Sequence, residues 1–255
     1  MKLKKLFAPL IATVLASNFV GSTVNAIDTG AASRYSNKYC HTYNPDYEDF
    51  NRFGGDCTNF VSQILKAGGL WEMIHPDEYC DYRDPNSEFN KKNKKMNCGC
   101  NDCWSYDSAN YYSDTWVSVN DLSSFLTDEL DIQRNYYWDF KKLLLEVESG
   151  DIVLCSNSIL PVTGLYDHAL YVDCSYDSYV TSGPYMQAGY LHFTRLVGHS
   201  SNKVYSYPIY PGDNQEYNLG GFESYAVIKT SDYDSDRDFE YGPKYILPKW
   251  IFCSE

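Results

Sequence analysis

The alternation of apolar and polar positions changes period several times along the chain, and each change marks an element. Between residues 57 and 67, Cys57, Phe60, Val61, Ile64 and Leu65 recur at helical spacing, while Thr58, Asn59, Ser62, Gln63 and Lys66 fall on the other side. Gly54-Gly55 precedes this run and Gly68-Gly69 follows it, so the pattern predicts an amphipathic helix with a glycine turn at each end. Ala31, Ala32, Tyr35 and Tyr39 predict an earlier helix over Ala31–His41. Asn44-Pro45-Asp46 ends it, because the residue before a proline is disfavoured in the α region. Leu122, Phe125, Leu126 and Leu130 predict a helix over Asp121–Leu130 with Asn120 as its N-cap, and a shorter helix is predicted over Asp139–Glu146.

The apolar pattern then becomes that of strands. Ile152-Val153-Leu154-Cys155, after the turn Glu148-Ser149-Gly150-Asp151, reads as a buried strand. Tyr166–Cys174 reads as a second, with His168, Leu170 and Val172 on one face and Asp167, Ala169 and Tyr171 on the other. Tyr190–Val197 and Ser224–Lys229 are the third and fourth. Residues 75–115 interrupt the pattern with a polar, turn-rich and cysteine-rich insertion. It carries Lys91-Lys92-Asn93-Lys94-Lys95, which reads as a solvated loop tip or as a contact for an acidic partner. Residues 231–255 form an acidic tail, which leaves 27–230 as a single domain.

The first 26 residues have a different pattern. A basic start at Lys2, Lys4 and Lys5 precedes an apolar run from Leu6 to Ala16, and Val24-Asn25-Ala26 supplies small residues for cleavage. This is the pattern of a secretory signal peptide, so the expected location is extracellular. The apolar run is short for a membrane anchor, and no later stretch is long and apolar enough to span a bilayer. The net charge of −13 deepens once the three leader lysines are removed. A chain this acidic lacks the basic footprint of a nucleic-acid binder, and it is not drawn by charge to an anionic polymer. The 25 tyrosines suit the lining of a wet groove, each with an apolar body and a polar tip.

The nine cysteines are Cys40, Cys57, Cys80, Cys98, Cys100, Cys103, Cys155, Cys174 and Cys253. In a secreted chain, eight pair into four bridges and one is left over, with Cys57 the candidate to stay a thiol. Cys98, Cys100 and Cys103 are close enough in sequence to hold zinc with a fourth ligand from elsewhere, but no second pair at metal-ligand spacing accompanies them. Disulfides are the expected fate of the cluster, and neither a metal nor a cofactor is expected.

Cys57 opens its helix, where unsatisfied backbone N–H groups converge. A helix N-terminus lowers a thiol pKa, and the N–H groups of Cys57 and Thr58 can bind the oxyanion that forms when a thiolate attacks an amide carbonyl. Asp56 is suited to the N-cap. A base is then required, and His168 has a strand to hold it, on an apolar face expected to cover the Cys57 helix. By itself such a histidine reads first as a satisfied core residue, and pairing with Cys57 on a facing element reverses that reading. A third, polar group should orient the imidazole. His199, at the end of the following strand, is the first choice, ahead of His192, Ser200 and Asn202, while Asp167 points to the opposite face.

The stretch Gly54-Gly55-Asp56-Cys57-Thr58-Asn59-Phe60-Val61-Ser62-Gln63, followed by Ala67-Gly68-Gly69, closely resembles the signature of the putative amidase domain found in secreted proteins of Gram-positive bacteria. The resemblance extends to Asn44–Phe50, Cys103–Tyr106, Tyr112–Trp116, Ser149–Val153, Asp167–Val172 and Gly198–Asn202. It implies kinship with papain-like cell-wall amidases and peptidases of the NlpC and CHAP types. The fold it implies is α+β, papain-like or NlpC-like, with the nucleophile-bearing helix packed on a small antiparallel β-sheet. It also implies Cys57 as nucleophile, His168 as base and a polar third residue best matched by His199. The expected function is a secreted cysteine amidase or peptidase acting on an amide bond, with a peptide or cell-wall peptide as substrate. The alternatives are a noncatalytic, disulfide-stabilised binding module on the same fold, and a structural zinc protein built on Cys98, Cys100 and Cys103.

Overall fold

The computed structural model describes residues 27–53, 56–70, 72, 96–98, 103–108, 111–159, 165–180, 189–199, 203–210 and 215–232. The leader, the acidic tail beyond Asp232, the lysine run, Cys80, Cys100 and Cys253 lie outside them, as do Gly54, Gly55, Ser200 and Asn202.

Helix α1 spans Thr29–Tyr39, and Asp28 caps it by accepting from the Ala31 amide at 2.9 Å. Helix α2 spans Cys57–Ala67. Gly69 follows it with φ of +95°, a left-handed conformation that costs glycine little and ends the helix. Two short strands, β2 (Tyr106–Ser108) and β3 (Tyr111–Ser113), form a small sheet with β1 (Met96–Cys98), which lies parallel to β3. Helix α3 (Asp114–Val117) leads into α4 (Val119–Ser124), which continues as a wider π turn over Phe125–Glu129. The expected single helix therefore has two windings. Its N-cap is Ser118, which accepts from Asp121 N, and the Asn120 side chain accepts instead from the Tyr166 amide at 2.7 Å.

The main sheet has six strands, every neighbouring pair antiparallel. They are β4 (Arg134–Tyr137), β5 (Ile152–Ser156), β6 (His168–Val180), β7 (Gly189–Gly198), β8 (Lys203–Ile209) and β9 (Ser224–Ile228), in the order β4-β9-β5-β6-β7-β8. Helix α5 (Phe140–Glu146) starts at Asp139, whose carboxylate accepts from the amides of Lys141 and Lys142. The fold is thus α+β, with the four expected strands present and β4 and β8 added at the two edges.

Both faces of the sheet are covered. Ile152, Leu154, Ala169 and Tyr171 share a core with Phe60, Val61, Ile64 and Leu65 of α2. Val153, Cys155, Leu170 and Val172 point the other way, into a second core with Phe140, Leu143 and Leu144 of α5. Complete burial of Phe60, Ile64 and Leu65 stabilises the fold by about 1.5–3 kcal/mol each.

The polar side of α2 is buried as well, and its groups are satisfied one by one. Ser62 Oγ donates to the Trp116 carbonyl at 3.0 Å and accepts from Trp104 Nε1 at 3.2 Å. Trp116 Nε1 donates to Asn59 Oδ1 at 2.8 Å, and Tyr35 OH donates to Gln63 Oε1 at 2.7 Å. Trp104 and Trp116 are therefore core residues, while Trp138 is exposed.

Helix α1 crosses the sheet and is fixed to it by Asp173. The strand register shifts between Val172 and Cys174, where Asp173 faces Ser33, Ser36 and Asn37 on one side of α1. Arg195 reaches the same carboxylate from β7.

Candidate active site

Cys57 is the first residue of α2, with only 8% of its surface exposed. Its Sγ lies 3.8 Å from Thr58 Oγ1. Asp56 holds the N-cap position, but its carboxylate makes no cap bond to the first turn of α2, contrary to the expectation from sequence. Oδ1 accepts from the Phe50 amide at 3.1 Å and from Asn59 Nδ2 at 2.6 Å. Oδ2 faces His199 Nδ1 at 2.6 Å. A ring nitrogen bonded to a carboxylate is a stronger partner than a backbone amide, and three partners together hold the carboxylate away from the helix axis.

His199 follows the last residue of β7 and is buried. Its Nε2 lies 2.7 Å from the Tyr39 carbonyl oxygen. The ring stacks on Phe60 with centroids 3.9 Å apart and an interplanar angle of 11°, and Tyr43 packs on it at 4.6 Å. The structure thus brings Asp56, Cys57, Thr58 and His199 together at the N-terminus of α2. In this cluster His199 meets Asp56 rather than His168.

His168 opens β6, half-buried, and is paired in register with Cys155 on β5. Its ring lies parallel to that of Phe222, with centroids 6.1 Å apart. Gly198 of β7 passes close by, and a Cβ there would stand 3.5 Å from His168 Nε2. The expectation that the His168 face covers α2 is not met. Leu170 and Val172 pack towards α5, while Ala169 and Tyr171 pack towards α2. His168 thus belongs to the start of β6, on the side of the strand that carries Leu170 and Val172, with Cys155, Phe222 and Gly198 as its neighbours.

Cys155 links the two groups. Burial raises its thiol pKa well above the ordinary value, and the charges of Cys57 and then of Asp167 raise it further. Cys155 is therefore held as an inert thiol that feels Cys57 and lies opposite His168. Asp167 stays local, with its amide on the Cys155 carbonyl and its carboxylate on the Asn157 amide at 2.8 Å each. His192 lies elsewhere, between Asp177 and the Leu144 carbonyl of α5.

Cys40, Cys57, Cys103, Cys155 and Cys174 are all thiols outside any disulfide. The expected four bridges would need eight of the nine cysteines, so that expectation is corrected. Its physical basis fails at Cys155, which is fully enclosed among Val153, Leu170 and Tyr225 and serves as packing. Among the described residues no group of three or more His, Cys, Asp or Glu side chains is placed to hold a metal ion, and the side chains of Cys98 and Cys100 lie outside that set. Also among the described residues, no helix is long and apolar enough to cross a membrane.

The Asp56–His199 pair is the feature that sequence reasoning missed. Both residues were legible as site candidates, but nothing local to either one points to the other across 143 positions. Neither the curated proteins nor the solved structures contain a match to the chain. A family model described as a putative amidase domain matches residues 26–207, which include α1, α2, the strand that His168 opens and His199 just after β7. With well over half of its length matched, the chain belongs to the putative amidase domain family.

Proposed function

We propose that the protein is a secreted cysteine-dependent amidohydrolase, with Cys57 as nucleophile and His168 as base. The observation that carries this reading is the N-terminus of α2. The thiol stands on the first helical residue, and the neighbouring carboxylate is not used to cap the first turn. A helix N-terminus favours the thiolate over the thiol, and first-turn N–H groups that the Asp56 side chain does not cap are donors for a developing oxyanion.

In the proposed reaction the Cys57 thiolate forms a bond to the carbonyl carbon of an amide. The resulting oxyanion is held by the backbone N–H groups of Cys57 and Thr58. Breaking of the C–N bond then transfers a proton from His168 to the leaving amine. A water molecule, deprotonated by His168, hydrolyses the thioester and releases the acid and the thiol. His199, the third polar residue, bears on the site through Asp56. The family supports an amide as the substrate bond, and a peptide, including the peptide stems of cell wall, is the proposed substrate class.

The test is to incubate the chain without residues 1–26 with cell-wall peptides and with ordinary proteins, and to identify new termini by mass spectrometry. Cleavage by the wild type and none by a folded Cys57→Ala variant is the expected result. Undiminished cleavage by that variant would refute the assignment.

A further inference from the structure

Asp56 presents a problem that the geometry resolves. A buried, ionised carboxylate beside Cys57 would oppose the formation of a thiolate. As an ordinary N-cap it would also occupy the first-turn N–H groups that an oxyanion needs. Neither happens here. The carboxylate turns to Phe50, Asn59 and His199, and makes no bond to the first turn of α2.

His199 faces an acceptor at each ring nitrogen, Asp56 at 2.6 Å and the Tyr39 carbonyl at 2.7 Å. Two protons shared between carboxylate and ring satisfy both contacts. Either the ring holds both, or Asp56 holds one and Nε2 the other. The pair carries no net charge in either placement. Stacking between Phe60 and Tyr43 fixes the ring plane, so His199 cannot turn towards another partner without breaking both contacts.

We infer that His199 is a positioning residue that acts through Asp56. It draws the carboxylate off the N-terminus of α2 and cancels its charge beside the Cys57 thiol. The inference rests on the reading of Cys57 as nucleophile. Among the described residues, Tyr43 and Tyr106 are titratable groups besides Cys57 that feel the pair. Burial is the largest cause in pushing Tyr43 up to about 12. Burial is the largest cause in raising Tyr106. Both phenols stay protonated at neutral pH and add no charge beside the thiol.

The experiment is alkylation of Cys57 by iodoacetamide from about pH 5 to about pH 10, located by mass spectrometry of the Cys57 peptide, with circular dichroism as the check on folding. His199→Gln should raise the midpoint of the alkylation profile by about one unit and slow the reaction at neutral pH about tenfold. The double variant Asp56→Asn/His199→Gln should return the midpoint close to that of wild type, since both charges are gone. An unmoved midpoint in His199→Gln, or a double variant as slow as the single one, overturns the inference. If His199→Gln alone does not fold, Asp56→Asn is compared with the double variant. Equal profiles support a role exercised through Asp56, and a slower double variant overturns it. Alkylation reads Cys57 without any substrate. The expected profiles without peptide cleavage would therefore refute the amidase reading and leave this inference standing.

Discussion

Gly198→Ala is the substitution that most directly probes how the strands meet at the site. A Cβ at residue 198 would stand 2.4 Å from Leu170 Cδ2, 3.6 Å from the Ala169 carbonyl oxygen and 3.5 Å from His168 Nε2. Unbonded carbon atoms rest about 3.5–4.0 Å apart, so Leu170 must retreat by more than an ångström. It has little room to do so, since it is fully buried among Val153, Val172, Leu196 and Leu144. Overpacking of this kind costs about 1–3 kcal/mol, and a chain of this size loses about 2–4 °C in Tm for each kcal/mol. The His168 contact is an ordinary one, but a ring displaced along with its strand would misplace the proposed base. A shift of about 1 Å in a reacting group can cost about 100-fold in rate. Thermal and urea denaturation of Gly198→Ala, with kcat/KM on a cleaved peptide, measure the two effects. The decisive control is the Leu170→Ala background, which costs about 2–5 kcal/mol by itself but removes the atom that is struck. There the added methyl group should cost close to nothing. An alanine that melts with wild type, or that costs the same in both backgrounds, would refute the reasoning.

Other outcomes follow from the packing. Ser62→Ala strands the Trp104 indole N–H and the Trp116 carbonyl in the core, at a cost of about 1–3 kcal/mol per unsatisfied group; denaturation followed by tryptophan fluorescence measures it. Asp173→Ala removes the acceptor shared by Ser33, Ser36, Asn37 and Arg195 and leaves a cation without its partner, so about 3–5 kcal/mol should be lost in urea titration. Alkaline stability is governed by tyrosines. Burial is the largest cause in lifting Tyr166 and Tyr225 from 10.0 to about 12. With the folded pKa above the unfolded one, their contribution is complete below pH 10 and is lost as pH rises to about 12. The urea midpoint should therefore be level up to that lower bound and fall above it, together with the 295 nm absorbance rise of phenolate. A midpoint that rises through this window would contradict the assignment.

Much of the fold was legible because single elements carry their own signal. The α2 run has both the right period and glycines at its end, and β5, β6, β7 and β9 are apolar enough to read as strands. In the main sheet the two strands that escaped notice, β4 and β8, are the edges, and the three short strands of the small sheet lie in the segment read as a turn-rich insertion. Arg134-Asn135-Tyr136-Tyr137 lacks an apolar run, and β8 contains Pro208, which a strand tolerates only where a donor is not needed on both sides. The face of β6 that meets α2 could not be read for a different reason. Alternation separates His168, Leu170 and Val172 from Ala169 and Tyr171, but in a sheet covered on both sides each set is apolar. Sequence distinguishes the two sets without saying which layer lies over which. Cys57, Asp56 and His168 were read as site candidates from their type and position. The contact between Asp56 and His199 is made by tertiary packing alone.

The burial of α2 on all sides has a consequence for how this scaffold can vary. A helix with a solvent face can shift or swap surface residues at little cost. Here Ser62, Asn59 and Gln63 are bound to Trp104, Trp116 and Tyr35, and Phe60, Ile64 and Leu65 to the sheet, so a change at any one of them disturbs a neighbour in another layer. The element that carries the thiol is thus the least free to drift. Near its N-terminus, variation falls instead to the segment that bears Tyr43, which packs on His199 from outside the helix.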